Sequence, residues 1–128
     1  MNRKLVSVSA DGATGWSEPK FHDQLWEPRC MASILAHPSG VLLFSNPHTL
    51  PLGKDGVEIP GGSGKRENLS IKLSRDDGKT WPVNKTLEAG RSAYSDLSVL
   101  PDGTVLCLYE RGNSIACARF NLQWINQP

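Results

Sequence analysis

The residues whose types and spacing could do chemistry are a tyrosine and a glutamate, Tyr94 and Glu110. Between them, the apolar run Leu97–Leu100, the turn signal Pro101-Asp102-Gly103 and the strand formers of Thr104–Tyr109 predict a β-hairpin. Tyr94 is expected just before the first strand, where small neighbours leave its phenol accessible, and Glu110 at the end of the second. A buried carboxylate needs a cation or several hydrogen-bond donors. The hairpin thus predicts a nucleophile-type phenol near a carboxylate that binds a cation or several hydrogen-bond donors.

Composition describes an ordinary soluble globular domain of 128 residues, with 38% hydrophobic residues and a net charge of +1. This balance gives no support to a role on nucleic acid or at a membrane surface. No apolar run is long enough to span a bilayer, and the basic N-terminus lacks the apolar segment of a signal peptide. The sequence leaves the cellular compartment open.

The cysteines and histidines predict neither a metal site nor a cofactor. The three histidines do not pair with one another or with cysteine at ligand spacing. The cysteines are odd in number, lack CxxC spacing and stand in apolar surroundings, so buried free thiols are favoured over a disulfide. They are Cys30, Cys107 and Cys117.

Two stretches of the chain are copies of each other. The alternating runs Leu5–Ser9 and Leu69–Ser74 each predict a half-buried strand, and each leads into a turn, at residues 9–16 and 74–81. In such a turn the aspartate caps backbone amides, the glycine takes a backbone angle that other residues avoid, and the tryptophan packs over the hairpin. A repeat that carries several strands points to a β-propeller.

The first copy of the turn is degraded, which predicts a looser turn. Ala13 stands at the glycine position of the second copy, and Gly15 stands at its threonine position. Asp11 and Asp76 are interpreted as structural residues in both copies.

The other segments are predicted as strands and one long loop. Met31–Ala36 and Val41–Ser45 are strands joined by the turn His37–Gly40. The Gly- and Pro-rich loop His48–Lys65 is longer than most loops without a function. Its glycine-rich end fails the phosphate-loop pattern and is interpreted as a flexible linker. Ser114–Trp124 is predicted to be a strand that is apolar on both faces through Arg119.

The hairpin and the second turn together resemble a known family. The runs Ala93-Tyr94-Ser95-Asp96-Leu97, Pro101-Asp102-Gly103 and Leu108-Tyr109-Glu110 resemble the C-terminal active-site segment of exo-α-sialidases, glycosidases that remove terminal sialic acids. Residues 74–81 match the Asp-box pattern of that family, S-x-D-x-G-x-T-W, at every fixed position. The resemblance implies an all-β chain that forms about two blades of a six-bladed β-propeller. Residues 1–128 would be the C-terminal part of that domain.

The resemblance also implies roles for single residues. Tyr94 would be the catalytic nucleophile, since sialidases are the tyrosine exception among glycosidases. Arg66, in the motif Arg66-x-Asn68-Leu69, would bind the substrate carboxylate, although without the resemblance it would be a solvated residue at a strand end. Glu110 would position another arginine of the carboxylate-binding triad. Arg91, nearer Tyr94, competes with Arg66 but ranks lower because family members vary there.

The implied activity is that of a retaining exo-α-sialidase acting on sialylated glycans or glycoconjugates, without a cofactor. The family's acid/base aspartate, its base glutamate and its first triad arginine have no counterpart here, and Arg3 is not assigned as the middle triad arginine. The chain is therefore expected to hydrolyse little by itself. Two blades cannot close a ring, so the remaining blades, or copies of the chain, are expected partners. The alternative is a non-catalytic sialic-acid-binding or structural Asp-box module.

Overall fold

The computed structural model describes residues 1–127, and apart from one short helix its regular structure is β-strand. Within these residues no helix is long and apolar enough to cross a membrane. In chain order the elements are β1 (Arg3–Val6), β2 (Lys20–Trp26), β3 (Ser33–Ala36), β4 (Leu42–Pro47), β5 (Glu67–Ser74), β6 (Val83–Val99), β7 (Val105–Arg111), β8 (Ser114–Phe120) and α1 (Leu122–Asn126).

The strands form two antiparallel sheets with simple connectivity. In the described part of the chain β1 pairs only with β2, and the other six strands pair in chain order from β3 to β8. Short turns connect most neighbours, as antiparallel pairing allows. The turns at Gly40 and Gly103 have positive φ angles of 87° and 81°, which glycine adopts readily. The hairpin predicted around Pro101-Asp102-Gly103 is confirmed.

The long strand β6 joins the two halves of the larger sheet. Its residues 83–91 pair with β5, and its residues 92–99 pair with β7. The sheet curls at this junction, so the second half of β6 returns towards β4, where the hydroxyl oxygens of Ser45 and Ser95 lie 2.8 Å apart. The all-β prediction is confirmed, and the strands amount to about two four-stranded blades of a propeller.

The main core lies between the two halves of the curled sheet. In β5 and β7 it takes alternate residues, because side chains at every second position share a face. Its fully packed members are Leu43, Leu69, Ile71, Leu73, Leu97, Val105, Cys107, Tyr109, Phe120 and Ile125.

Predictions about the first and last strands need correction. β1 ends at Val6, because Val8 bonds Ser17 across a loop instead of extending a ladder. The last segment turns into the helix α1 after β8, because the Asn121 side chain accepts a hydrogen bond from the Trp124 N–H at 2.9 Å and caps it. β8 is buried on one face only, and Ile115 is 65% exposed.

The long loop 48–65 is held by specific contacts. Leu52 and Glu58 form an isolated bridge, and Glu58 accepts hydrogen bonds from the Asn2 backbone N–H and side-chain amide. The Gly64 N–H donates to the Pro28 carbonyl at 3.2 Å, and a Cβ at Gly64 would lie 2.8 Å from that of Pro28. The glycine-rich end is thus a closely docked segment, which corrects its interpretation as a flexible linker.

The cysteines are all free, but only two are buried. Cys30 and Cys107 lie in the interior as predicted. The prediction is wrong for Cys117, which is exposed, because it points outward from β8.

The two copied turns have the same hydrogen bonds. Asp76 accepts from the backbone N–H of Thr80 at 2.8 Å and from its hydroxyl at 2.6 Å. Asp11 accepts from the same two groups of Thr14 at 2.8 and 2.7 Å. The threonine therefore stands one position earlier in the first turn. Gly15, with φ 60°, fills the extra position between this threonine and Trp16. The first turn is as completely bonded as the second, contrary to the expected looseness.

Candidate active site

Tyr94 lies inside β6, which corrects the expectation that it precedes the strand. The pairing of β6 with β7 shifts register between Ser92 and Ser95, so a bulge surrounds Tyr94. Bulges bend a strand and re-aim single side chains, and they are frequent beside active sites. The Tyr94 side chain is 41% exposed, which leaves the phenol accessible.

Two buried serines hold the backbone on either side of Tyr94. The Ser92 hydroxyl accepts from the Leu69 N–H at 3.1 Å and donates to the Gly90 carbonyl at 3.1 Å. Ser95 bonds Ser45 across the curl of the sheet. These contacts tie the tyrosine position to β4 and β5, so the phenol projects from a fixed piece of backbone.

Arg66 lies immediately before β5 and reaches the tyrosine ring. Its guanidinium carbon is 5.1 Å from the ring centroid of Tyr94, a distance at which cation and ring attract each other. Its Nη2 donates to the Arg29 carbonyl at 2.9 Å. The contact with Tyr94 and the bond to Arg29 orient a guanidinium that is otherwise exposed to solvent.

The backbone that orients Arg66 has unusual angles, which sequence patterns did not reveal. Arg29 and Asn68 have φ angles of 64° and 58°, in the left-handed region that residues other than glycine seldom adopt. Such conformations cost energy and cluster at functional sites. Arg29 carries no sequence signal for this role beyond its place between Pro28 and Cys30.

Glu110, near the end of β7, contacts the tyrosine from the other side. Its Oε2 accepts a hydrogen bond from the Tyr94 backbone N–H at 3.2 Å. Within residues 1–127 no ion pair involves this half-buried carboxylate. One donor leaves most of its acceptor capacity unused, and a carboxylate can accept two bonds from an arginine.

Two adjoining grooves meet at Glu110. The larger, of about 440 Å³, is lined by Arg66, Arg91 and the turn after β7. The smaller, of about 250 Å³, is lined by Tyr94 and by apolar side chains that include Met31 and Leu108. Arg91, which the sequence ranked below Arg66, thus shares a groove with it.

Chemically, the grooves combine two guanidinium groups, the carboxylates of Glu110 and Asp96, and one accessible phenol. Two arginines suit an anionic ligand, because a guanidinium can give a carboxylate two parallel hydrogen bonds. A phenol holds its proton at neutral pH, so its use as a nucleophile needs a base. Among the described residues, no carboxylate bonds the Tyr94 hydroxyl.

Behind the site lies Cys30, a buried thiol among charged neighbours. Burial raises the pKa of this thiol, and the Arg66 charge opposes that shift. The Cys30 N–H donates to Glu27 at 2.7 Å, and Glu27 forms an ion pair with Lys4. The thiol therefore stays protonated and packs as a small apolar group.

A second polar cluster, which sequence analysis missed, links β5 through Asn46 of β4 to the end of β2. Lys72 is 1% exposed, its Nζ donates to the Asn46 amide oxygen at 2.9 Å, and burial lowers its pKa to about 7. The His48 ring stacks on Trp26 at 4.2 Å, and burial lowers its pKa to about 4. An alternating strand pattern assigns the lysine to solvent, whereas β5 is covered on both faces.

No metal centre is indicated within the described part of the chain. Residues 1–127 contain no cluster of three or more His, Cys, Asp or Glu side chains able to hold an ion.

Comparison with known proteins gives consistent matches. The sequence pattern of the BNR repeat-like domain matches residues 2–107. A sialidase of Micromonospora viridifaciens is 37% identical over 131 residues, covering 95% of this chain and 18% of the relative. A sialidase of Bacteroides fragilis (strain YCH46) is 30% identical over 118 residues, covering 84% of this chain and 19% of the relative.

A solved structure supports the same relationship. The Hadza microbial sialidase Hz136 superposes with a TM-score of 0.74 at 32% identity, covering 96% of this chain and 24% of that one. The chain spans about a fifth of the length of these curated relatives.

Proposed function

Because the chain belongs to the sialidase family and carries BNR repeats, we propose that it supplies the nucleophile side of an exo-α-sialidase active site. In this role Tyr94 is the nucleophile, Arg66 binds the substrate carboxylate and Glu110 positions an arginine from the rest of the propeller. The reaction releases terminal sialic acid from glycoconjugates with retention of anomeric configuration.

One observation carries the proposal: the three residues named from sequence form one cluster around Tyr94. Arg66 lies over the tyrosine ring, and Glu110 binds the tyrosine backbone. They come from three separate strands or strand ends, so their meeting depends on the fold. A purely structural repeat requires none of these three side chains.

The substrate explains why a phenol suits this position. Sialic acid carries a carboxylate on its anomeric carbon, so an Asp or Glu nucleophile would approach against like charge. The Tyr94 oxygen attacks the anomeric carbon as the bond to the aglycone oxygen breaks, forming a sialyl-tyrosine intermediate. A base takes the phenolic proton, and an acid gives a proton to the leaving oxygen. Water then attacks the same carbon and releases the tyrosine.

The base and the acid are proposed to come from outside residues 1–127. No carboxylate within these residues bonds the Tyr94 hydroxyl, and Glu110 has only the Tyr94 N–H as partner. We therefore expect the purified chain to hydrolyse a fluorogenic sialoside slowly or not at all. Hydrolysis by the chain alone that disappears in Tyr94→Phe would contradict this expectation, since a complete site would then exist.

A chimera tests the role of Tyr94 directly. In it, this chain replaces the matching segment of the Micromonospora viridifaciens sialidase, and sialoside hydrolysis is measured. Tyr94→Phe should abolish kcat while sialic-acid binding persists. Tyr109→Phe is the matched control, because it removes the same atom from the other, buried tyrosine. Full activity in the Tyr94→Phe chimera would overturn the proposal.

The alternative is a sialic-acid-binding module without catalysis. It is favoured by the one observation that, within the described residues, the Tyr94 hydroxyl has no bonded carboxylate. A chimera that binds sialic acid through Arg66 but turns over no sialoside would support this alternative.

A further inference from the structure

The larger groove holds a second arginine with no role in the proposed chemistry. Arg91 is exposed, and the N–H of Gly112 donates to its carbonyl at 2.8 Å. Among residues 1–127, its guanidinium bonds only the Asn113 amide oxygen, at a long 3.5 Å. Neither Arg91 nor Arg66 takes part in any ion pair within residues 1–127. Two unpaired guanidinium groups therefore line one groove.

The strands place the two arginines side by side. The Ser92 N–H donates to the Arg66 carbonyl at 3.0 Å, and Arg91 pairs with Glu67 in the β5–β6 ladder. The two residues thus occupy neighbouring positions on adjacent strand ends. The carboxylate of Glu67 does not neutralise Arg91, since its ion pair is with Lys65.

The opposite wall of the groove is a tight turn that carries polar groups. β7 and β8 are joined by Gly112 and Asn113 alone, with φ 58° at the glycine, as a type II′ hairpin turn requires. The Asn113 amide oxygen accepts from Arg91, and this contact leaves the NH₂ donors of Asn113 unused. An amide donor beside an unpaired guanidinium suits an oxyanion.

From these contacts we infer that Arg91 and Asn113 bind a second anionic group of the ligand whose carboxylate Arg66 holds. The inference rests on the proposed function. The ligand is then a sialoside with two anionic groups, the second being a further carboxylate or a sulfate ester. With two guanidinium groups against the single carboxylate of Glu110, the groove favours two negative charges over one.

The test is calorimetric titration of the full chain with three probes. Sialyllactose carries one carboxylate, α2,8-linked disialic acid carries two, and sialyllactose sulfated on galactose carries a carboxylate and a sulfate. At least one dianionic probe should bind roughly tenfold tighter than sialyllactose, as expected for one more charge-assisted contact. The probe that shows this advantage identifies the second group.

Three variants show which arginine is responsible for the tighter binding of the dianionic probe. Arg91→Gln should reduce it to nearly nothing and leave sialyllactose binding within about twofold. Arg66→Gln should weaken all three probes alike. Arg119→Gln, an equal charge change at an exposed arginine outside the groove, should leave the preference intact. Dispersed amide NMR spectra of each variant confirm that it is folded.

The outcomes separate the two proposals. Sialyllactose binding that depends on Arg66, with no advantage for either dianionic probe, overturns the inference and leaves the proposed function standing. An advantage that survives Arg91→Gln also overturns it. Absence of binding by any probe overturns the inference, whereas the proposed function is then decided by the Tyr94→Phe chimera, because its site includes an arginine from outside residues 1–127.

Discussion

The two copied turns use the same hydrogen bonds but differ in what surrounds them. In each, an aspartate holds the N–H and hydroxyl of a threonine. Yet Trp16 is 56% exposed, whereas Trp81 is 4% exposed and packs against Phe44 with ring centroids 5.7 Å apart. The local turn is encoded in a few residues, while burial of its tryptophan depends on neighbouring strands.

The difference has a structural cause. The second turn follows a strand of the larger sheet and docks on β2, where the Gln24 side chain accepts a hydrogen bond from the Trp81 backbone N–H at 2.7 Å. His22 Nε2 also lies 3.2 Å from the Gly78 carbonyl. The first turn follows β1, which pairs with β2 and with no other strand of residues 1–127. Without a neighbour on its other side, the same motif stays in solvent.

The largest expected effect concerns the two tryptophans. Trp81→Ala should lower the free energy of unfolding by roughly 3–5 kcal/mol, because it empties a packed site. Trp16→Ala should change it by less than about 0.5 kcal/mol. Urea unfolding followed by circular dichroism measures both. Equal losses would show that the first turn is as deeply packed as the second, against the exposure of Trp16.

The next effect concerns the residues that precede the two turns. Lys72, in β5, aligns with Ser7, which follows β1. Burial lowers the pKa of Lys72 to about 7 from an ordinary value of 10.5. The unfolded chain then binds more protons between these values, so stability should rise as pH increases from 7 to 10.5. Lys72→Met should flatten this rise and stabilise the chain at pH 7 by about 1 kcal/mol or more.

Urea midpoints measured from pH 6 to pH 10 test the Lys72 prediction. Lys79→Met is the matched control, since Lys79 is exposed in the second turn. If the parent chain and Lys72→Met show the same pH slope, the lysine is charged in the folded state.

A smaller effect tests the displaced threonine. Gly15→Thr restores the threonine of the Asp-box pattern in the first turn, but Gly15 has φ 60° and the bonds to Asp11 come from Thr14. The variant should therefore lose about 1–2 kcal/mol, the cost of a side chain in the left-handed region. Thermal unfolding measures it, with Ala13→Thr as a control at non-glycine backbone angles. Stabilisation by Gly15→Thr would contradict the described register.

The smallest effect is the shared acid sensitivity of the two turns. Hydrogen bonds from Thr80 lower the pKa of Asp76 to about 2, and those from Thr14 hold the pKa of Asp11 well below its usual range. Both contributions are present above pH 3.8 and are lost as pH falls through the lowered values. Asp11→Asn and Asp76→Asn should each reduce the loss of stability between pH 4 and 2. A reduction in only one variant would show that only that turn loses stability when its aspartate is protonated.

Much of the hairpin around Tyr94 could be predicted from sequence. Its turn at Pro101-Asp102-Gly103 and the strand formers of Thr104–Tyr109 are local signals, and the structure confirms the turn and the strand β7. The bulge at Tyr94 could not be predicted, because it depends on how β6 leaves β5 and joins β7. The burial of Lys72 could not be predicted from sequence for a similar reason, since neighbouring elements cover the second face of β5.

The sequence by itself determined the strand-and-turn pattern and the two Asp turns, because these rest on contacts between residues close in the chain. It also named Tyr94, Arg66 and Glu110 through family motifs. Only the tertiary structure decided that these three residues meet, that Arg91 shares their groove, and that one tryptophan is buried while its copy is exposed. Each of those outcomes depends on the curl of the sheet, which brings together strands distant in sequence.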